Sequence, residues 1–288
     1  MTISILSEVA NPSFNRSVFT SPKHRLLQYS RNKSYLKRLL IDAMAGDEFE
    51  LAYQPQTDIT GHRVVGVEAL VRWQSEEYGL ISPDEFIPVF ESLGLISELG
   101  NLVIEKACEQ ASHWKKHYDS TVRMAVNVSC LQVNNRDIVD FVDSCLSRYA
   151  LGRQSLEIEL TESTLVKDTQ MVISVLNQFR EMGVRTAIDD FGTGYSSLSH
   201  LANMPFDMIK IDKSFIDKLG INSANTAITE SIIQMSKKLN MEVLAEGVET
   251  ERQRDILISN QCDLMQGNLI SMPVSAEMLP EVAGMLIC

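Results

Sequence analysis

The sequence predicts an α/β fold in which a mostly parallel sheet closes into a barrel, with one antiparallel pair at its start. Two observations carry that reading. From residue 122 onward, short apolar runs alternate with helical stretches, the pattern of a parallel sheet covered by helices. Before them, the strand-like runs FELAYQP (49–55) and RVVGVEAL (63–70) are joined by Asp-Ile-Thr-Gly-His (58–62), a link suited to a hairpin. No Gly-x-Gly-x-x-Gly follows the first strand, which argues against an open dinucleotide-binding sheet and favours closure.

Residues 1–34 form a basic segment, with Arg16, Lys23, Arg25, Arg31 and Lys33 against Glu8 alone; it reads as a flexible arm that can meet an acidic protein partner. Ordered pattern begins near Ser34, where Leu36, Leu39, Leu40, Ala43 and Met44 recur at helical spacing up to Gly46. After the hairpin, helices are expected near 97–117, 135–149, 168–182, 223–239 and 250–260. Between them lie the runs VRMAVNV (122–128), SLEIEL (155–160), VRTAID (184–189), DMIKI (207–211), MEVLAE (241–246) and CDLMQ (262–266). With the hairpin this makes eight strands in one domain, 35–288.

Composition is globular, 44% hydrophobic and 22% charged over 288 residues. A net charge of −12 argues against duplex nucleic acid as a partner, because phosphate backbones demand a positive surface. No apolar run approaches a membrane span, no secretory signal is evident, and five scattered cysteines without a Cys-x-x-Cys pair read as free thiols of a cytoplasmic protein.

The most informative stretch is Ala-Ile-Asp-Asp-Phe-Gly-Thr-Gly (187–194). Adjacent carboxylates at the end of an apolar run repel each other and are costly to desolvate. A pair of divalent cations relieves both costs, one aspartate bridging the two ions. An isolated Asp-Asp is more often an exposed acidic turn, but other strands add to this one. In a parallel barrel the C-terminal strand ends share one mouth. Glu68, Asn127, Glu159, Asp189, Asp190, Lys210, Glu246 and Gln266 all fall near such ends. Five carboxylates and two amides are hard oxygen donors suited to Mg²⁺ or Mn²⁺, and Ca²⁺ can occupy such a site. Lys210 is the lone cation: its amine orients a water or, with a depressed pKa, takes its proton, and a structural ion pair is the equal alternative. His113 and His117, four apart beside Lys115 and Lys116, read as a solvated helix face.

With these residues in view, the chain resembles the EAL-domain cyclic-di-GMP phosphodiesterases. The resemblance runs over about residues 35–285. It rests on an ordered set: YQP (53–55), EALVRW (68–73), FIPVFE (86–91), VNVS (126–129), ELTES (159–163), DDFGTGYSSL (189–198), KID (210–212), AEGVE (245–249) and QG (266–267). It implies a modified TIM barrel with one antiparallel strand, and hydrolysis of cyclic di-GMP to linear pGpG with two Mg²⁺ or Mn²⁺, Ca²⁺ binding and inhibiting. By motif, Glu68, Asn127, Glu159 and Asp189 are expected to hold the first ion, and Asp189, Asp190 and Glu246 the second. Lys210 acts on the attacking water, with Gln266 and Glu249 placing water nearby. Arg72 grips a substrate phosphate, Gln54 lies along the ligand groove, and Glu162 braces the loop after Asp190. The family also implies a homodimer. The chain departs from the family pattern at Gln56, Asn268 and Met272, near that groove. Two alternatives are weighed: a cyclic-di-GMP receptor or protein-binding module without turnover, and an unrelated metal-dependent barrel enzyme.

Overall fold

A computed structural model describes residues 33–118, 122–133, 137–162, 169–194, 201 and 203–284. The basic arm up to residue 32, Cys288 and the Tyr-Ser-Ser-Leu end of the loop after Asp190 lie outside the described residues. The strands are β1 (Phe49–Asp58), β2 (Val64–Ser75), β3 (Gly79–Ile81), β4 (Arg123–Asn127), β5 (Leu156–Thr161), β6 (Arg185–Phe191), β7 (Met208–Ile211), β8 (Glu242–Ala245) and β9 (Leu264–Gln266).

Eight of them close a ring in the order β1-β9-β8-β7-β6-β5-β4-β2, and β1 returns to pair with β2. β1 is antiparallel to both neighbours, β2 and β9, whereas β2, β4, β5, β6, β7, β8 and β9 run parallel. The barrel with one reversed strand is therefore the fold, as the hairpin signal implies. β3 is an extra edge strand on the far end of β2.

Two apolar bodies hold the barrel. The larger fills the space between the sheet and its covering helices and includes Ile104, Val126, Ile158, Leu176, Ile188, Ile209 and Val243, all fully buried. The smaller lies where the β1–β2 hairpin overruns the ring: β2 pairs with β4 only over Gly66–Ala69, but with β1 as far as Trp73. There Phe49, Trp73, Phe86 and Phe90 interlock, Phe49 stacking on Trp73 at 5.2 Å. The helices Lys33–Ala45 and Pro83–Leu93 close over them. The second of these helices and β3 are not anticipated from the apolar pattern. Among the described residues no helix is long and apolar enough to cross a membrane.

Candidate active site

Period-two alternation turns one residue in two of each parallel strand into the barrel. In β4, β5 and β6 the register sets Asn127 beside Glu159, and Glu159 beside Ala187, two residues before Asp189. Glu68 stands one strand away on β2. Adjacent residues on a regular strand face opposite sides, so Asp189 and Asp190 need a local break to share a site. Pairing between β6 and β7 shifts register between Ile188 and Phe191, and Asp190 takes a left-handed φ of 54°. Aspartate tolerates that conformation better than most residues. Glu68, Glu159 and Asp189 then form one carboxylate triad, and Asp189, Asp190 and Glu246 another, each with oxygens within 4.8 Å of one another. Asp189 belongs to both.

Amide side chains frame the triads. Asn127 Nδ2 donates to Glu68 Oε1 at 2.7 Å, which leaves Asn127 Oδ1 as its available oxygen. Gln266 Nε2 donates to Glu68 Oε2 at 2.6 Å and to Gln54 Oε1 at 3.0 Å, and Gln54 donates in turn to the Ser271 carbonyl. The residue after Gln266 must be small: a Cβ on Gly267 would stand 2.3 Å from the Val248 backbone nitrogen. That close approach lets the Val248 N–H bond the Gln266 carbonyl at 3.0 Å and pins the end of β9.

Lys210 is fully buried, and its Nζ lies among four carboxylates. It stands 2.8 Å from Glu159 and Glu246, 3.1 Å from Asp189 and 3.6 Å from Glu68. Burial pulls its pKa down, but the four anions, Asp189 first, hold it well above the ordinary lysine value. In this state the amine is an ammonium ion-paired to all four carboxylates. Glu68 feels burial most strongly, yet Lys210, Gln266 and Asn127 together keep its carboxyl below the usual range. Burial pushes Glu159 and Glu246 well above that range. Burial and then the Asp189 charge lift Asp190 to about 6. One ammonium thus leaves the cluster short of positive charge. Glu159 Oε1 is buried without a hydrogen-bond partner among the described residues. A hard oxygen donor set with an unpartnered buried oxygen fits divalent cations.

The sequence pattern of the EAL domain matches residues 38–273. The chain belongs to the EAL domain family. It is 40% identical over 240 residues to the bifunctional diguanylate cyclase/cyclic di-GMP phosphodiesterase MucR of Pseudomonas aeruginosa, covering 83% of this chain and 35% of that one. It is 37% identical over 257 residues to the cyclic di-GMP phosphodiesterase NbdA of the same organism, covering 89% and 33%. The chain therefore spans about a third of the length of these curated relatives. A solved structure described as the PaMucR phosphodiesterase in complex with c-di-GMP superposes with a TM-score of 0.81 at 39% identity, covering 85% of this chain and 99% of that one.

In this EAL domain Glu162 lies just past β5, belongs to neither triad, and reaches the turn after Asp190. Its Oε2 accepts from the Gly192 N–H at 2.9 Å and the Gly194 N–H at 3.0 Å. Of the two glycines, Gly192 is the constrained position. Gly192 has φ 101° and a Cβ there would stand 2.7 Å from the Phe215 ring, while a Cβ on Gly194 would stand 2.9 Å from the Glu162 carboxyl. Glu162→Ala removes the acceptor of two backbone N–H groups. Amide exchange at Gly192 and Gly194 is expected to accelerate about tenfold or more, with exchange in β7 and β8 unchanged. Equal protection in both proteins contradicts the bracing role.

Two further expected site residues of the EAL domain belong to neither triad. Glu249 is paired with Lys213 at 2.7 Å, and Arg72, on the hairpin overhang, donates to its neighbour's carbonyl, Val71 O, at 2.9 Å. Gln56, one of the three departures from the family pattern, stands opposite Gln266 in the β1–β9 pairing. It is fully buried, lies over Gly66 (a Cβ there would stand 2.7 Å from its Oε1), and has both amide atoms unpartnered among the described residues. Met272, by contrast, is largely exposed. Sequence reasoning missed Glu157, fully buried at the other end of β5 between Arg123 and Arg185. The signal was its period-two spacing from Glu159.

Proposed function

We propose that this EAL domain hydrolyses cyclic di-GMP to linear pGpG at the barrel mouth, with two divalent cations, Mg²⁺ or Mn²⁺, held by its own oxygens. The observation that carries the reading is the pair of carboxylate triads sharing Asp189. Glu68, Asn127, Glu159 and Asp189 would hold one ion, and Asp189, Asp190 and Glu246 the other. Bound there, the ions would acidify a water and offset phosphoryl charge.

The chain's own groups do the rest. Lys210 Nζ, already fixed by Glu159 and Glu246, points a hydrogen bond at the attacking water oxygen and steadies its developing negative charge. The hydrogen-bonded chain Gln54–Gln266–Glu68 fixes the opposite wall, so that a scissile phosphate enters a preset geometry. Arg72 supplies the positive charge for a phosphate oxygen from the overhang, and Glu249 places water after release from Lys213. Water oxygen bonds phosphorus, the P–O3′ bond breaks, and the proton lost from water is balanced by the one gained at the 3′ oxygen. The products are a 5′-phosphate and a 3′-hydroxyl.

The second reading is a receptor that binds the same ligand without turnover; the buried Gln56 at a departing position favours it. Purified protein incubated with cyclic di-GMP and Mg²⁺ or Mn²⁺ decides between them. Accumulation of pGpG is the expected result. Binding in chelator with no product after metal addition would instead assign the receptor role.

A further inference from the structure

The barrel floor, at the end opposite the two triads, carries a different kind of site. A cavity of about 610 Å³ opens there, within the range of small-molecule pockets. Its charged lining residues are Arg123, Arg180, Arg185 and Asp207. In a chain of net charge −12, three guanidiniums line one cavity, and Glu157 and Glu242, which pair with two of them, stand outside its lining. The lining carboxylate is already used: Asp207 Oδ2 accepts from the Thr186 N–H at 2.8 Å.

The arginines are not all consumed by structure. Arg185 is fixed by Glu157 and Glu242, so it forms a rigid wall. Arg123 shares the same Glu157 oxygen at 3.1 Å through its Nε and keeps 13% of its side chain exposed. Arg180 comes from the helix Thr169–Met182 and makes no ion pair among the described residues. Gln154 and Ser155, on the turn before β5, add neutral donors to the rim. A planar guanidinium fork matches phosphate oxygens, and a preset one loses little entropy on binding.

We propose that this floor cavity binds a phosphate-bearing small anion, gripped by Arg123 and Arg180 against the fixed Arg185. The site does not depend on the reading of the mouth. Arg123 and Asn127 are the two ends of β4, about 13 Å apart on an extended strand, so the two sites are separable by mutation.

Inorganic pyrophosphate titrated calorimetrically into the full chain in metal-free buffer tests it, since without cations the acidic mouth repels anions. The expected result is saturable binding to the native protein and to Glu68→Ala alike. Arg180→Glu, and separately Gln154→Glu, are expected to weaken it at least tenfold. Both side chains are exposed, so thermal unfolding should show these variants folded. No binding to the native protein, or binding that Arg180→Glu leaves unchanged, overturns the proposal. So does binding that only Glu68→Ala alters.

Discussion

Lys210→Met is expected to destabilise the metal-free protein by about 3–5 kcal/mol, because it removes the one cation from a buried group of carboxylates. Methionine fills similar volume, so the loss is electrostatic and not a cavity. Glu68, Glu159, Asp189 and Glu246 all lose a partner at 2.8–3.6 Å. Divalent cations can replace the missing charge, so Mg²⁺ or Mn²⁺ should return most of the stability of the variant while adding less to the native chain. Acid should act in the same direction. Burial holds Glu159 and Glu246 above the ordinary carboxylate pKa, so the folded variant binds more protons than the unfolded chain. Its stability therefore rises as pH falls toward about 4.5, the unfolded carboxylate range. Urea unfolding at several pH values, with and without Mg²⁺, reads all three effects. A variant as stable as the native chain in chelator contradicts the arrangement.

Glu68→Ala is expected to lower turnover of cyclic di-GMP by about 10³-fold or more while the protein stays folded, a loss of the size seen when groups that organise transition-state charge are removed. Three consequences combine at this residue. One triad drops to two carboxylates, Asn127 loses its acceptor at 2.7 Å, and Gln266 loses its acceptor at 2.6 Å. Folding should survive, because Lys210 keeps Glu159, Asp189 and Glu246. Steady-state pGpG formation beside a circular dichroism melt checks both halves. Retained turnover removes Glu68 from the reaction, and loss of the folded signal assigns it to structure.

The regions where local pattern and tertiary role agree were legible in the sequence. Each buried parallel strand is a short apolar run, so β4 to β9 fall within a few residues of their expected places. The hairpin link announces the reversed strand β1, but its second antiparallel neighbour, β9, lies over two hundred residues away and leaves no local trace. β3 is three residues long, below the reach of periodicity. The helix Pro83–Leu93 did have a start signal: Ser82, then Pro83, Asp84 and Glu85. Its interior Pro88 masks the helical pattern.

The candidate site was legible as a list of residue types at strand ends, because a polar group in an apolar run stands out. How those groups pair was not. The ammonium of Lys210 among four carboxylates, the register slip that turns Asp190 into the mouth and the Gln54–Gln266–Glu68 chain are products of closure. The arginines of the barrel floor were invisible for the opposite reason. Arg123 and Arg185 begin strands, where a charged residue is unremarkable, and only the ring brings them to one cavity with Arg180.

The central claim is that one aspartate, Asp189, joins two cation sites at the barrel mouth. Mn²⁺ titration of the purified chain, followed by electron paramagnetic resonance, tests it most directly. The account predicts two ions per chain with an exchange-coupled signal, and loss of that coupling in Asp189→Asn. A single uncoupled Mn²⁺ at saturation, or a coupled pair that survives Asp189→Asn, would contradict it.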